Sequence, residues 1–250
     1  MSISTSSGAQ SSEKPRVHPA EWSLQQVASF WDNYGSIAHF RDRFFSLTMG
    51  EGVLEFAQKF VPAGGTFLDY GCGRGDLLEV LIRRGTRAMG CDSSPDSVRA
   101  IEERFGGKEN FLGAFQTPVS QVPVVPDTIL LVEVIEHMPK SAVNEFLTGV
   151  GALLKPGGHV VITCPNGEDI VSAEVLCPEC ACRFHPVQHM QSLTPDVVES
   201  LAGGAGFQKV FSGATRLRRT GEWAAKAWTI ARLRTWFGRP PHLVYVGRKL

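Results

Sequence analysis

Phe67-Leu68-Asp69-Tyr70-Gly71-Cys72-Gly73-Arg74-Gly75-Asp76 is the stretch on which the fold turns. Apolar residues end in an acid, and glycines follow at every second position. A helical pattern then opens at Leu77-Leu78-Glu79-Val80-Leu81-Ile82. Strand, glycine turn and helix in that order begin a nucleotide-binding α/β unit. The glycines let the backbone pass close beneath a ligand. A dinucleotide fingerprint, G-x-G-x-x-G/A, needs a third small residue where the helix packs on the strand. Counted from Gly71 and Gly73, that place falls on Asp76, whose charge would face a pyrophosphate. A nicotinamide dehydrogenase is disfavoured on that ground.

Seventeen positions past Gly75, Thr86-Arg87-Ala88-Met89-Gly90-Cys91-Asp92 reads as the next strand, again ending in an acid. A carboxylate there can accept both hydroxyls of a ribose. Ser93-Ser94-Pro95-Asp96 starts a helix with a hydroxyl cap and an early proline. Further on, Thr128-Ile129-Leu130-Leu131-Val132 reads as a buried strand that runs into Glu133-Val134-Ile135-Glu136-His137-Met138. Leu153-Leu154-Lys155-Pro156-Gly157-Gly158 is a helix end and a turn, and His159 to Thr163 is a strand. Strands alternating with helices imply a doubly wound α/β fold with a mostly parallel sheet. Ligands of such sheets bind outside the carboxyl ends of the strands. Asp69, Asp92 and Glu133 all fall at such ends, so one crevice can hold all three.

The Asp69-x-Gly71-x-Gly73-x-Gly75 motif, Asp92, the E-x-x-E-H string and the L-L-K-P-G-G turn resemble class I S-adenosylmethionine-dependent methyltransferases over roughly residues 60–212. The E-x-x-E-H block is similar to that of ubiquinone-pathway O-methyltransferases and of small-RNA 3′-terminal methyltransferases. The resemblance implies a Rossmann-like sheet of seven strands, the last antiparallel. It also implies S-adenosylmethionine held by Asp69, Gly71, Cys72, Gly73, Gly75, Asp92, Ser93 and Glu133. Where relatives carry Gly-Asp near the adenine, this chain has Gly113-Ala114-Phe115-Gln116. Glu133 and His137 are the candidate catalytic residues. His137 is proposed as general base because an unperturbed imidazole titrates near neutrality; the plainer reading has Glu136 and His137 capping a helix.

Cys177-Pro178-Glu179-Cys180-Ala181-Cys182-Arg183-Phe184-His185-Pro186-Val187-Gln188-His189 gives C-x2-C-x4-H-x3-H. That spacing approaches a compact zinc knuckle, with Cys177, Cys180, His185 and His189 as ligands and Cys182 as a spare thiol. A metal-free loop of reduced thiols is the alternative. His189 has a competing use. By resemblance to the small-RNA enzymes, Glu133, Glu136, His137 and His189 would hold a divalent metal that grips acceptor hydroxyls.

The organisation expected is a disordered tail over 1–17, a helical lid over 18–60 and a methyltransferase domain over 61–250. That domain would include a Cys/His loop at 176–190 and a basic aromatic insert at 213–240. Trp31 and Tyr34 are candidates to line the lid. The formal charge is zero, but from Phe207 to Leu250 ten Lys or Arg face one acid, Glu222. That end carries +9 and the remainder −9. An anionic small molecule, RNA or an acidic membrane surface would suit it; so would docking on the acidic body. No stable protein partner is implied. Six cysteines with no secretory signal suggest reduced thiols in the cytoplasm. O-methylation of a small-molecule or glycan-type acceptor is the function expected. RNA ribose methylation and a non-catalytic S-adenosylmethionine-binding module are the alternatives.

Overall fold

The computed structural model describes residues 15–119, 122–219 and 240–250. Of the expected tail, 1–14 lie outside them, as do 220–239 with Trp223, Trp228, Trp236 and Phe237 of the expected insert. A two-residue strand, β1 (His18–Pro19), precedes the helices α1 (Leu24–Ser36), α2 (Ala38–Arg41) and α3 (Phe45–Ala57). Ser23 caps α1, and Gln26 returns the bond to the Ser23 N–H in a capping box. The helical lid expected over 18–60 is thus mostly helix.

The glycine stretch then does what its pattern foretold. β2 (Thr66–Tyr70) leads through the turn into α4 (Asp76–Arg83), and β3 (Arg87–Asp92) leads into α5 (Pro95–Phe105) and β4 (Phe111–Gln116). Gly75 is the N-cap of α4 at φ 83°, a left-handed backbone that a side chain would oppose. Asp76 and Glu79 stand in the first turn, where the helix dipole favours acids. Ser94 caps α5 through the Ser97 N–H, and Pro95 opens it.

β5 (Thr128–Val132) is followed by a 3-10 turn over Ile135–His137, then α6 (Lys140–Leu153) and β6 (His159–Pro165). The next elements are α7 (Ile170–Ala173), the hairpin strands β7 (Val175–Leu176) and β8 (Cys182–Phe184), α8 (Pro195–Gly204), β9 (Phe207–Thr215) and β10 (His242–Lys249). Among the described residues the main sheet has seven strands in the order β4-β3-β2-β5-β6-β10-β9. β4 to β6 are parallel, and β10 runs antiparallel between β6 and β9. The strand order reverses between β2 and β5. A crevice opens at such a switch point.

Strands buried on both faces read as continuous apolar runs. β5, Thr-Ile-Leu-Leu-Val, is buried at every position. On one face of the sheet, Val53 and Leu54 of α3, Leu77, Leu78 and Leu81 of α4 and Ile101 of α5 form a core. On the other, Val143, Leu147 and Val150 of α6 pack with Val198 and Ala202 of α8. A small second sheet in the order β1-β8-β7 was not expected from sequence.

Part of the basic end is turned onto the body. Arg218 bonds Glu55 of α3, Lys209 lies 2.6 Å from Glu199, and Lys249 donates to the Leu154 carbonyl. Among the described residues no helix is long and apolar enough to cross a membrane.

Candidate active site

The tips of β2, β3 and β5 each present a carboxyl. Gly71 and Cys72 donate their N–H groups to the Cys91 carbonyl, which ties the glycine turn to β3. Gly73 donates to Asp92 Oδ2 at 2.8 Å, and Ser94 donates to Asp92 Oδ1 at 3.0 Å. Each Asp92 oxygen thus holds one backbone N–H and keeps lone pairs for further donors. A side chain built at Gly73 would meet nothing within 4 Å, so the turn borders open space there. Burial raises the Asp92 carboxyl, while the Ser94 and Gly73 N–H groups pull it back. Asp32 of α1 adds to the rise. Gln116 ends β4 beside it and bonds the Ser93 carbonyl at 3.3 Å.

Asp69 is buried beneath the turn, and its Oδ2 has no hydrogen-bond partner. Its carboxyl is pushed up to about 8, by burial first and then by Asp92 and Asp76. The folded chain therefore binds a proton between pH 4 and 8 that the unfolded chain has lost. Asp69 stabilises fully below about pH 4, and that contribution falls as pH rises to about 8, by up to about 1.4 kcal/mol per unit. Chemical denaturation across this window should give a steeper decline for the parent chain than for Asp69→Asn. Equal slopes would refute the assignment.

At the tip of β5, Glu133 takes a left-handed φ of 54°. A non-glycine residue in that region is strained, and such strain gathers at functional sites. Its N–H bonds the Thr163 carbonyl, and its Oε1 accepts from Thr163 Oγ1 at 2.9 Å. Burial lifts the Glu133 carboxyl to about 7 against the Thr163 bond. Glu136 is 1 % exposed; no N–H or backbone donor reaches either of its carboxylate oxygens, and its carboxyl lies close enough to that of Glu133 for the two to share a proton. Burial first, then Glu133, pushes its carboxyl well above the usual range. Leaving two acceptors unpaired in the interior is costly unless a proton or cation meets them.

His137 Nδ1 faces the Gln188 carbonyl at 3.4 Å, and Nε2 lies 3.9 Å from Glu136 Oε1. Burial first, then His189, lowers its pKa to about 3. The imidazole is therefore neutral at physiological pH and a weak base. The premise of a near-neutral His137 does not hold in this environment, although its Nε2 lone pair is directed into the site. Nor do Glu136 and His137 cap a helix. They sit in the buried 3-10 turn, and Pro139 precedes α6.

Ligand atoms of Glu136, His137 and His189 lie within 4.8 Å of one another, as do those of Glu168, His185 and His189. Among the described residues neither group includes a cysteine. The structure thus sends the two histidines of the C-x2-C-x4-H-x3-H spacing toward the strand tips. Cys177 and Cys180 stand on the β7–β8 hairpin. His185 Nδ1 accepts the N–H groups of Val187 and His189, so Nε2 carries the proton and faces Glu168 Oε1 at 3.4 Å. That tautomer has no lone pair at Nε2 for a metal.

Helix α1 packs against this second half of the crevice. Trp31 of α1 meets the His137 ring edge-on, with centroids 4.6 Å apart. Its indole donates to Gln188 Oε1 at 2.9 Å, and Gln188 Nε2 donates to the His137 carbonyl at 3.0 Å. Tyr34, the other lid aromatic, stacks on Phe40 inside the helical region. Gln188 and Glu168 escaped the sequence reading. Glu168 follows the tip of β6, and the strand-end rule applied to Pro165-Asn166-Gly167-Glu168 could have found it. Gln188 has no comparable signal.

A glycine turn under an acid-lined crevice at the switch point is the layout of a nucleoside-binding α/β domain. The chain belongs to the methyltransferase family: the family described as a methyltransferase domain matches residues 37–211. The domain is of the class I S-adenosylmethionine-dependent type, and it is similar to curated O-methyltransferases and solved methyltransferase structures. The ubiquinone biosynthesis O-methyltransferase of Xylella fastidiosa (strain 9a5c) is 31% identical over 120 residues, covering 45% of this chain and 47% of that protein. The same-named enzyme of Aeromonas salmonicida (strain A449) is 29% identical over 159 residues, or 58% and 65% of the two chains. The chain thus spans less than two thirds of either relative. In fold it is similar to the 1,6-didemethyltoxoflavin-N1-methyltransferase of Burkholderia thailandensis. That comparison has a TM-score of 0.63 and 20% identity, and covers 94% of this chain and 93% of the other.

Proposed function

We propose that this chain transfers the methyl group of S-adenosylmethionine to a hydroxyl oxygen of a small acceptor. The donor half rests on one observation above others: Asp92, anchored by Gly73 and Ser94, keeps lone pairs on both oxygens at the crevice mouth. That arrangement suits the two ribose hydroxyls. Gly71, Cys72, Gly73 and Gly75 would carry the backbone beneath the methionine end, with Asp69 supporting the turn and Ser93 beside the ribose.

The acceptor half rests on Glu133, Glu136, His137 and His189 under Trp31. Methyl transfer breaks the sulfur–carbon bond and forms a carbon–oxygen bond, and the hydroxyl proton must leave. Glu133, held near neutrality at the strand tip, is the carboxylate suited to take it. Holding the two reactants in line, with water excluded by the lid, supplies much of the acceleration. Glu136, His137 and His189 also suit a divalent cation, with Glu133 close by as a further carboxylate, and the Glu136 oxygens, which no N–H or O–H group reaches, support that fit. A cation there would lower the pKa of an acceptor hydroxyl.

A small acceptor is preferred to RNA because Lys209, Arg218 and Lys249 are engaged with the protein's own acids and carbonyls. The free thiols suit a reducing compartment such as the cytoplasm. Methyl-labelled donor offered with pools of phenols and sugars, of amines, and of RNA tests the reading. Label should enter alkali-stable methyl ethers of the small hydroxyl pool. Label confined to RNA or to amines would refute it.

A further inference from the structure

The small sheet gathers thiols that the active site leaves unused. β7 and β8 pair antiparallel with Leu176 opposite Arg183, and the next step in register brings Cys177 opposite Cys182, where the Cys177 N–H bonds the Cys182 carbonyl at 2.8 Å. Cys180 stands in the turn between them, which Ala181 closes at a φ of 59°. On the other side of β8, β1 pairs in parallel with His18 opposite Cys182. Opposed residues of neighbouring strands share a face of the sheet. His18, Cys182 and Cys177 therefore form one row across three strands, although no three ligand atoms of this row and Cys180 lie within 4.8 Å of one another, so the side chains would turn inward to bind.

The histidine tautomers choose between ligand sets. His18 Nδ1 donates to the Pro19 carbonyl at 3.0 Å, which leaves the Nε2 lone pair free. A ring N–H given to a carbonyl is the usual outer support of a metal-bound imidazole. His185 has the opposite arrangement, with its Nδ1 accepting backbone N–H groups.

We propose that Cys177, Cys180, Cys182 and His18 bind one zinc ion, which fastens the segment ahead of the lid helix α1 to the β7–β8 hairpin. Three thiolates and one imidazole make a closed tetrahedral structural site. Strands of two and three residues have little stability of their own, and a metal crosslink between distant parts of the chain would supply it. Trp22, just before α1, already packs edge-on against Phe30 of the lid helix and against Phe184 of β8. The site and this aromatic contact would act on the same junction.

Cobalt substitution of the full, reduced chain tests the assignment. Cobalt at this site should give a thiolate-to-cobalt charge-transfer band of three-sulfur intensity, abolished by zinc. Cys177→Ser, Cys180→Ser and Cys182→Ser should each cut the band by about a third or more. His18→Ala, at an exposed position that folding does not need, should weaken cobalt binding tenfold or more. His185→Ala and Glu136→Gln should leave the band unchanged. No band in folded, reduced protein would overturn the proposal, as would a band sensitive to His185→Ala and indifferent to His18→Ala. Neither result bears on S-adenosylmethionine binding, which is read separately by calorimetry.

Discussion

Asp92→Ala should lose S-adenosylmethionine and S-adenosylhomocysteine binding by about a hundredfold or more while the protein stays folded. Two hydrogen bonds from ribose hydroxyls to a charged acceptor contribute on the order of 1.5–3 kcal/mol each. Every 1.4 kcal/mol is about tenfold in affinity. The alanine also frees the Gly73 and Ser94 N–H groups, so the turn loses one of its ties to β3 while the Gly71 and Cys72 bonds to the Cys91 carbonyl remain. Asp92→Asn keeps one oxygen acceptor and should fall between the parent and the alanine variant. Titration calorimetry of the three proteins measures the series. Parent-like affinity in Asp92→Ala would remove Asp92 from the donor site.

Glu136→Gln should have the opposite signature. Its carboxyl makes no hydrogen bond to the glycine turn, so affinity for the donor should hold within a few-fold. Turnover should fall by about a hundredfold or more, because the carboxylate facing His137 and His189 is gone. The melting temperature should rise, since a buried carboxyl that no N–H or backbone donor reaches is replaced by a neutral group of the same shape. Stability gained with activity lost is the mark of a residue kept for chemistry. A structural Glu136 would lose both together. Comparing kcat, donor affinity and thermal melting in one preparation separates the two cases.

The legible part of this molecule is the part with long-range pattern. Strands such as Thr128–Val132 are buried on both faces and must be apolar throughout, so they announce themselves. The Gly75-to-Asp92 spacing is set by one helix and one strand, and the Gly73–Asp92 bond follows from it. The strand-end rule puts Asp69, Asp92 and Glu133 at the same end of the parallel strands. What escapes depends on side-chain direction. His185 is spaced like a zinc ligand, but two backbone N–H groups fix its tautomer and turn Nε2 to Glu168. His137 reads as a general base, yet burial beside His189 pushes it down to about 3. β1 and β7 are too short to show any periodicity, so the row joining His18 to Cys182 has no sequence signal.

The donor half of the crevice is tested most directly by calorimetric titration of the parent chain with S-adenosylhomocysteine. One molecule should bind per chain, with the uptake lost in Asp92→Ala. A well-folded parent that takes up neither this compound nor its methylated form would contradict the account.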